Sequence, residues 1–128
     1  MKGKKQYHLP QEIEVWYIIP AIRKELAKLL TDEHDMTYQK TGDILGVSKA
    51  AISQYLSKKR ATKIEIPSQI MKEIKRSSKE IAKNNGKALM EIEKILKLFR
   101  NSGCECDVCK KYNKGILKIC GEKPIKRE

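Results

Sequence analysis

Residues 42–56 constrain the fold of this chain more than any other stretch. They read Gly-Asp-Ile-Leu-Gly-Val-Ser-Lys-Ala-Ala-Ile-Ser-Gln-Tyr-Leu, with the two glycines four positions apart. Gly42 supplies the small residue that closely crossing helices need, and Gly46 tolerates the positive φ of a tight turn. Ser48 is a favoured N-cap residue. The pattern predicts a helix ending near Leu45, a glycine turn and a second helix.

The second helix of this pair has one apolar face and one polar face. Val47, Ile52 and Tyr55 fall where side chains fill the space between the helices. The outward positions are small or polar, namely Lys49, Ala50, Ser53 and Gln54, and the N-cap residue Ser48 is expected to bind DNA with them. Gln pairs with adenine, Lys reaches guanine and Ala contacts the thymine methyl group. The pattern therefore predicts a helix that enters the DNA major groove, with an αα-hairpin inside an ordinary helical core as the alternative.

Basic residues follow that helix. Lys58, Lys59 and Arg60 come directly after it and suit phosphate contacts, which position a protein on DNA without reading sequence. The chain of 128 residues has a formal net charge of +12. Such a surplus favours a polyanionic partner, because each bound phosphate releases condensed counterions, although it also keeps a small protein in solution. We expect the partner to be double-stranded DNA.

Helical periodicity along most of the chain predicts an all-α fold. Pro10 suits the first turn of a helix, and Trp16, Tyr17 and Ile19 continue an apolar stripe that is expected to belong to the core. Pro20 is expected to kink or restart this helix, since it lacks an N–H and its ring opposes the carbonyl four residues back. Apolar residues then recur at helical spacing up to Leu30, and Thr37 is expected to cap the next helix.

Two further amphipathic helices are expected after Pro67, the first ended by Asn84-Asn85-Gly86 and the second by Ser102-Gly103. Their apolar residues are Ile70, Ile74, Ile81, Leu89, Ile92, Ile95, Leu96 and Phe99. These residues fit either an intramolecular core or a dimer interface. A homodimer is favoured, because two-fold operators mirror two-fold proteins.

The segment from about Leu9 to Ile66, under half of the chain, resembles the helix-turn-helix region of lambda-repressor-like (XRE-type) regulators. It is especially similar to an archaeal group of predicted transcriptional regulators. The resemblance is carried by Leu9-Pro10 with residues 16–23 (Trp-Tyr-Ile-Ile-Pro-Ala-Ile-Arg), and by residues 45–56 with Lys59-Arg60. It implies a five-helix, all-α DNA-binding domain that acts as a dimer on a two-fold operator. Gly42 departs from the pattern, which has Ala there, and is expected to loosen the first helix slightly without changing its role.

All four cysteines of the chain lie within 17 residues, at Cys104, Cys106, Cys109 and Cys120. Four thiolates are the full ligand set of a tetrahedral zinc site or of an iron–sulfur cluster. Structural zinc sites favour two Cys-x2-Cys pairs, whereas only Cys106 and Cys109 have that spacing here. Three cysteines within six residues and a distant fourth favour an iron–sulfur cluster, of the [4Fe–4S] type. Zinc and metal-free thiol chemistry are the alternatives.

These observations divide the chain into three regions. Residues 1–66 form a helix-turn-helix DNA-binding domain, residues 67–102 a helical linker or dimerisation region, and residues 103–128 a small cysteine-ligated loop region with a basic tail. The expected function is sequence-specific transcriptional regulation in which the cysteine centre senses redox state, oxygen or iron. A DNA-binding regulator or antitoxin-like protein with a purely structural zinc site is the alternative.

Two further expectations concern location and catalysis. No apolar segment follows the basic N-terminus as in a secretory signal, and residues 15–22 are too short to span a bilayer, so we expect a cytoplasmic protein without a membrane partner. No nucleophile–base set, acid/base pair or phosphate-cradling loop is recognisable in the sequence. The chain is therefore not expected to be an enzyme.

Overall fold

The computed structural model describes residues 9–57 and 65–102. Within these residues the regular structure is helical, which confirms the predicted all-α class, and no helix is long and apolar enough to cross a bilayer. The elements are α1 (Pro10–Ile13), a π-helical segment (Glu14–Ile18), α2 (Ile19–Asp32), α3 (Tyr38–Leu45), α4 (Lys49–Leu56), α5 (Ser68–Lys83), a 3-10 turn (Asn85–Lys87) and α6 (Ala88–Asn101).

Helix α2 is the centre of the fold. It packs against α3, α4, α5 and α6, so its apolar residues are spread over more than one face. The buried residues of α2 are Ala21, Ile22, Leu26, Ala27 and Leu30. A stripe this wide is typical of a helix that is covered on several sides rather than lying on the surface. Every other helix from α3 onwards is therefore positioned by its contact with α2.

Helices α5 and α6 pair with each other and complete the core against α2. Ile70, Ile74 and Ile81 of α5 and Ile95 and Phe99 of α6 are fully buried, in the same hydrophobic cluster as the residues of α2. The core is thus continuous across residue 66, the boundary expected between the first two regions. The apolar faces of α5 and α6 form intramolecular core.

Leu89 is an exception among the apolar residues expected on this face. Its side chain is 78% exposed, whereas the preceding residue, Ala88, and Ile92 one turn later are buried. Leu89 lies in the first turn of α6 at the edge of the buried face, and that face is narrower here than the sequence pattern indicates. Leu89 therefore does not belong to the intramolecular core, and its alternative place in a dimer interface stays a prediction.

The chain accommodates Pro20 by widening the helix before it. The segment Glu14–Ile18 is π-helical, the Ile19 N–H donates to the Glu14 carbonyl, and α2 then begins with Pro20 in its first turn. The restart expected at Pro20 is observed. The wider turn rotates the side chains, however, so that Ile18 is buried and Trp16 is 50% exposed. The expected burial of Trp16 is wrong because it assumed an uninterrupted α-helical period.

Two polar contacts fix α6 in place. Arg100 donates to both carboxylate oxygens of Glu14, at 2.8 and 3.1 Å, and so joins the end of α6 to the π-helical segment. Glu91 is buried between α5 and α6, where it accepts a hydrogen bond from the Ser77 hydroxyl at 2.8 Å and faces Lys94 at 3.4 Å. The hydrogen-bonded Glu91 carboxylate fixes the register of α5 against α6, because a buried carboxylate without partners would be costly.

Candidate nucleic-acid interface

Helix α3 begins and ends where the sequence predicts. The Thr37 hydroxyl oxygen accepts a hydrogen bond from the Lys40 backbone N–H at 3.1 Å, which confirms Thr37 as the N-cap. The buried Thr41 hydroxyl donates to the Thr37 carbonyl at 2.8 Å. The first contact gives a partner to an N–H that the start of a helix would otherwise leave without one. In the second, the Thr41 hydroxyl shares the Thr37 carbonyl with the Thr41 N–H, which donates at 2.9 Å.

The turn between α3 and α4 depends on two glycines for different reasons. Gly46 has φ +80°, which confirms the predicted left-handed residue. The Gly42 carbonyl accepts hydrogen bonds from the Gly46 N–H at 2.8 Å and from the Val47 N–H at 2.9 Å, which closes the end of α3. This arrangement resembles the C-cap geometry by which glycine ends many helices.

Gly42 makes the close approach of the turn possible. A Cβ atom at this position would lie 2.6 Å from the Val47 carbonyl oxygen and 3.3 Å from that of Ser48. Both neighbours are backbone atoms, which cannot move aside as a flexible side chain can. The expectation that Gly42 merely loosens α3 is therefore incomplete, because in this chain its missing side chain is what lets the turn pack on α3.

Helix α4 starts at a side-chain cap and is held by its apolar side. The Ser48 hydroxyl oxygen accepts a hydrogen bond from the Ala51 N–H at 3.0 Å, as predicted. Ala51, Ile52 and Tyr55 are buried, and α4 packs against α2 and α3. Val47 is half-buried and also packs against the core. The side of α4 that faces the protein is thus fixed along its whole length.

The opposite side of α4 is open to solvent. All five residues expected to bind DNA within the described chain are exposed, namely Ser48, Lys49, Ala50, Ser53 and Gln54. An α-helix with its side chains is about 10–12 Å in diameter, which is close to the width of the DNA major groove, about 12 Å. Lys49 forms no ion pair with any residue in 9–57 or 65–102, so its charge is available to a partner.

The stretch of chain that forms α3 and α4 contains little negative charge. Asp43 is the one acidic residue between residues 37 and 57, and its carboxylate accepts a hydrogen bond from the Gln39 amide at 3.0 Å. Both residues belong to α3. The exposed side of α4 itself has one cation, one methyl group and neutral polar groups. A surface of this composition can donate to and accept from base edges without repelling phosphates.

Other expected site residues fall outside the described parts of the chain. These are the three basic residues after α4 and the four cysteines, namely Lys58, Lys59, Arg60, Cys104, Cys106, Cys109 and Cys120. Residues 9–57 and 65–102 contain no group of three or more His, Cys, Asp or Glu side chains placed to hold a metal ion. The cysteine centre stays a prediction from sequence.

Helix α5 has a second charged surface, which no recognised motif marks. Lys72, Lys75, Lys79 and Lys83 are all exposed and lie on one side of the helix; we call them the α5 lysine stripe. The recurrence of lysine at intervals of three and four residues is the signal that identifies it. Because the chain has 28 lysines and arginines, the recurrence alone does not identify a surface. The buried side of α5 has to be known before these four lysines can be assigned to one exposed side.

Comparison of the chain with protein families, with curated proteins and with solved structures gives no match. A function for the α3–α4 pair and for the α5 lysine stripe therefore has to be inferred from their geometry and chemistry.

Proposed function

We propose that this protein binds double-stranded DNA in a sequence-specific way and acts as a transcriptional regulator, with α3 and α4 as a helix-turn-helix. One observation carries the proposal: α4 is held by α2 and α3 on its apolar side while Lys49, Ser53 and Gln54 are exposed on the other. A helix supported from behind and polar in front has the form of a recognition helix.

Each outward residue has a defined role in this proposal. Gln54 pairs with adenine through its amide, and Lys49 donates to guanine acceptors. Ala50 contacts a thymine methyl group, and Ser53 forms hydrogen bonds with either kind of base edge. Ser48 keeps α4 capped and brings the start of the helix close to a phosphate. These side chains account for reading a few base pairs rather than a complete operator.

Phosphate contacts and symmetry complete the proposed mode of binding. Lys58, Lys59 and Arg60 follow α4 directly and would fix the register of the protein on the backbone. A homodimer would place two copies of α4 in successive major grooves, about 34 Å apart. Because the buried apolar residues of α5 and α6 pack within one chain, such a dimer would form through other residues, and exposed Leu89 is available to it.

We further propose that Cys104, Cys106, Cys109 and Cys120 hold an iron–sulfur cluster, which would make DNA binding depend on redox state, oxygen or iron. Support for this comes from the donor set, since four clustered thiolates suit such a cluster. Zinc in the same residues would instead make the region a structural cap, as in the antitoxin-like alternative. Metal analysis of full-length protein purified without oxygen distinguishes them: iron with sulfide supports the cluster, and zinc alone contradicts it.

The test of sequence reading uses the full chain and a pool of random double-stranded DNA, from which bound sequences are selected. We expect one preferred site to emerge. Gln54→Ala should then lose about 1–3 kcal/mol of discrimination between that site and random DNA, the usual worth of a bidentate base contact. Lys58→Ala should weaken binding to both DNAs alike, because phosphates are common to all sequences.

Gln11→Ala is the matched control, because Gln11 is also an exposed glutamine on a helix but lies on α1, away from α4. Its affinities for both DNAs should equal those of the unchanged protein. Selection that yields no preferred site contradicts the proposal. Equal losses on preferred and random DNA for Gln54→Ala would remove Gln54 from the reading surface.

A further inference from the structure

The four lysines of the α5 lysine stripe lie in one row along the helix. At about 100° per residue, Lys72, Lys75, Lys79 and Lys83 fall within an arc of about 80° and extend over about 16 Å. The buried isoleucines Ile70, Ile74 and Ile81 lie on the opposite side of α5. The outer face of this helix is therefore a straight row of exposed cations on a rigid support.

The lysines of this row have no direct carboxylate partner in the described parts of the chain. None of the four lysines forms an ion pair with a residue in 9–57 or 65–102. The two acidic residues of α5 are paired elsewhere, Glu73 with Arg76 and Glu80 with Lys87 at 3.1 Å. Like charges three and four residues apart repel one another on a helix, so the row has a small stability cost that a bound polyanion would remove.

The acidic partners stay ionised and matched at neutral pH. The hydrogen bond from Arg76 holds the pKa of Glu73 below its ordinary value. The hydrogen bond from Lys87, with a smaller contribution from the Lys83 charge, does the same to the pKa of Glu80. Among the described residues, the two carboxylates therefore compensate mainly Arg76 and Lys87, and Glu80 acts only in part on Lys83, so most of the positive charge of the α5 lysine stripe is left over.

We infer that the α5 lysine stripe is a second DNA-binding surface, which binds the sugar-phosphate backbone without regard to sequence. Each strand of a DNA duplex has one phosphate about every 3.4 Å along the duplex axis, so a row of cations about 16 Å long can face several of them. Helices α4 and α5 each pack mainly on other helices, α2 among them, rather than on one another, so the two surfaces belong to separate elements. This inference goes beyond reading by α4, and its test needs no operator.

The exposed residues of α5 favour a phosphate backbone over other anionic partners. They include no aromatic or aliphatic side chain, which protein interfaces use as anchors. A membrane surface would need apolar residues to insert beside the lysines, but the apolar residues Ile70, Ile74 and Ile81 are fully buried. The exposed side of α5 can therefore attract a partner mainly through its positive charge, and proteins bind a nucleic-acid backbone mainly in this way.

The test measures how the affinity of the full chain for a random-sequence DNA duplex changes with salt. Lys75→Gln/Lys79→Gln removes two charges from the stripe. We expect the slope of log affinity against log salt concentration to become shallower by about 1.8, or about 0.9 for each phosphate that the protein no longer neutralises. Lys75→Arg/Lys79→Arg keeps the charges and should retain the original slope.

Lys24→Gln/Lys97→Gln is the charge-matched control, with one change on α2 and one on α6. It should leave the slope nearly unchanged, because these lysines lie outside the row. Equal effects of the stripe variant and this control would overturn the inference, since net charge alone would then explain binding. The inference would also be overturned if the stripe bound a polyglutamate peptide but neither a DNA duplex nor an RNA duplex.

The outcome is distinct from that of the test on α4. If Gln54→Ala leaves discrimination unchanged, the helix-turn-helix proposal fails while the salt slope still reports on α5. If the slope is insensitive to Lys75→Gln/Lys79→Gln, the stripe proposal fails while the preferred site is still read. Near-unchanged thermal unfolding of the stripe variant, as exposed lysines lead us to expect, confirms that weaker binding does not come from unfolding.

Discussion

Gly42 shows how much one missing methyl group decides in this fold. Alanine in place of glycine usually stabilises a helix, by about 1 kcal/mol. Here the added Cβ would meet the Val47 carbonyl oxygen at 2.6 Å, and overpacking of a close contact costs about 1–3 kcal/mol. We therefore expect Gly42→Ala to lower the free energy of unfolding, or at best to leave it unchanged, in a chemical denaturation experiment.

Gly46 provides the control for this prediction. A Cβ atom there meets nothing within 4 Å, but the residue has φ +80°, a conformation that asparagine tolerates better than other side chains. Gly46→Asn should therefore cost less stability than Gly46→Ala, whereas Gly42→Asn should cost at least as much as Gly42→Ala. A stabilised Gly42→Ala variant would contradict the close contact between the turn and α3.

Residue-level features near residues 37–57 were predictable because they are local. The N-caps Thr37 and Ser48 and the turn residue Gly46 each act on backbone atoms within five positions of themselves, so the sequence around them contains the information. The contact made by Gly42 was predictable in kind but not in degree. Its tightness depends on where the Val47 carbonyl points.

At the level of elements, the pairing of α6 with the start of the chain depends on Arg100. Its guanidinium donates to both oxygens of Glu14, and the two side chains are mostly buried. Lysine keeps the charge but cannot form the paired contact. We expect Arg100→Lys to lower the free energy of unfolding by about 1.5 kcal/mol, the lower end of the range for a hydrogen bond to a charged group, because lysine keeps the charge.

A double-mutant cycle with Glu14→Gln measures this contact directly. The two changes together should cost clearly less than the sum of the single changes, because they remove one shared interaction. Additive losses would show that Arg100 and Glu14 act independently. Glu12→Gln serves as the control, because Glu12 is also a partly buried glutamate but lies on α1. Its effect on the free energy of unfolding should be additive with that of Arg100→Lys.

The ends of the helices were predictable from the sequence, but the side of each helix that is buried was predictable only in part. The stop at Asn84 is observed, since α5 ends at Lys83 and the Asn84 side chain accepts a hydrogen bond from the Gly86 N–H. Trp16 was misplaced because it lies within a change in helical period. Leu89 lies outside the intramolecular core, at the edge of the buried face of α6.

At the scale of the whole molecule, the shared core has a consequence for folding. Residues 1–66 supply α2, but Ile22, Leu26 and their neighbours lie in the same core as Ile74 and Phe99. We expect a fragment of residues 1–66 to lack the cooperative thermal transition of the full chain, because removing α5 and α6 exposes one side of α2. Circular dichroism during heating measures this.

A fragment that melts cooperatively near the temperature of the full chain would contradict the shared core and would support an independent domain before residue 66. The sequence could not decide between these cases. An amphipathic helix indicates that one face is covered, but its pattern contains no information about what covers it. The use of α5 and α6 against α2 in the same chain follows only from their three-dimensional packing.

The π-helical turn before Pro20 contains one residue more than an α-helical turn, so Ile13 and Ile18, five positions apart, both reach the core. Removing a single residue from 15–17 would let this turn close as an ordinary α-helix and would leave Ile13 and Glu14 on the sides they face now. That closed turn would bring the Pro20 ring against a carbonyl of the preceding turn. We expect proteins that descend from the same ancestor to lack one residue here only where they also lack this proline.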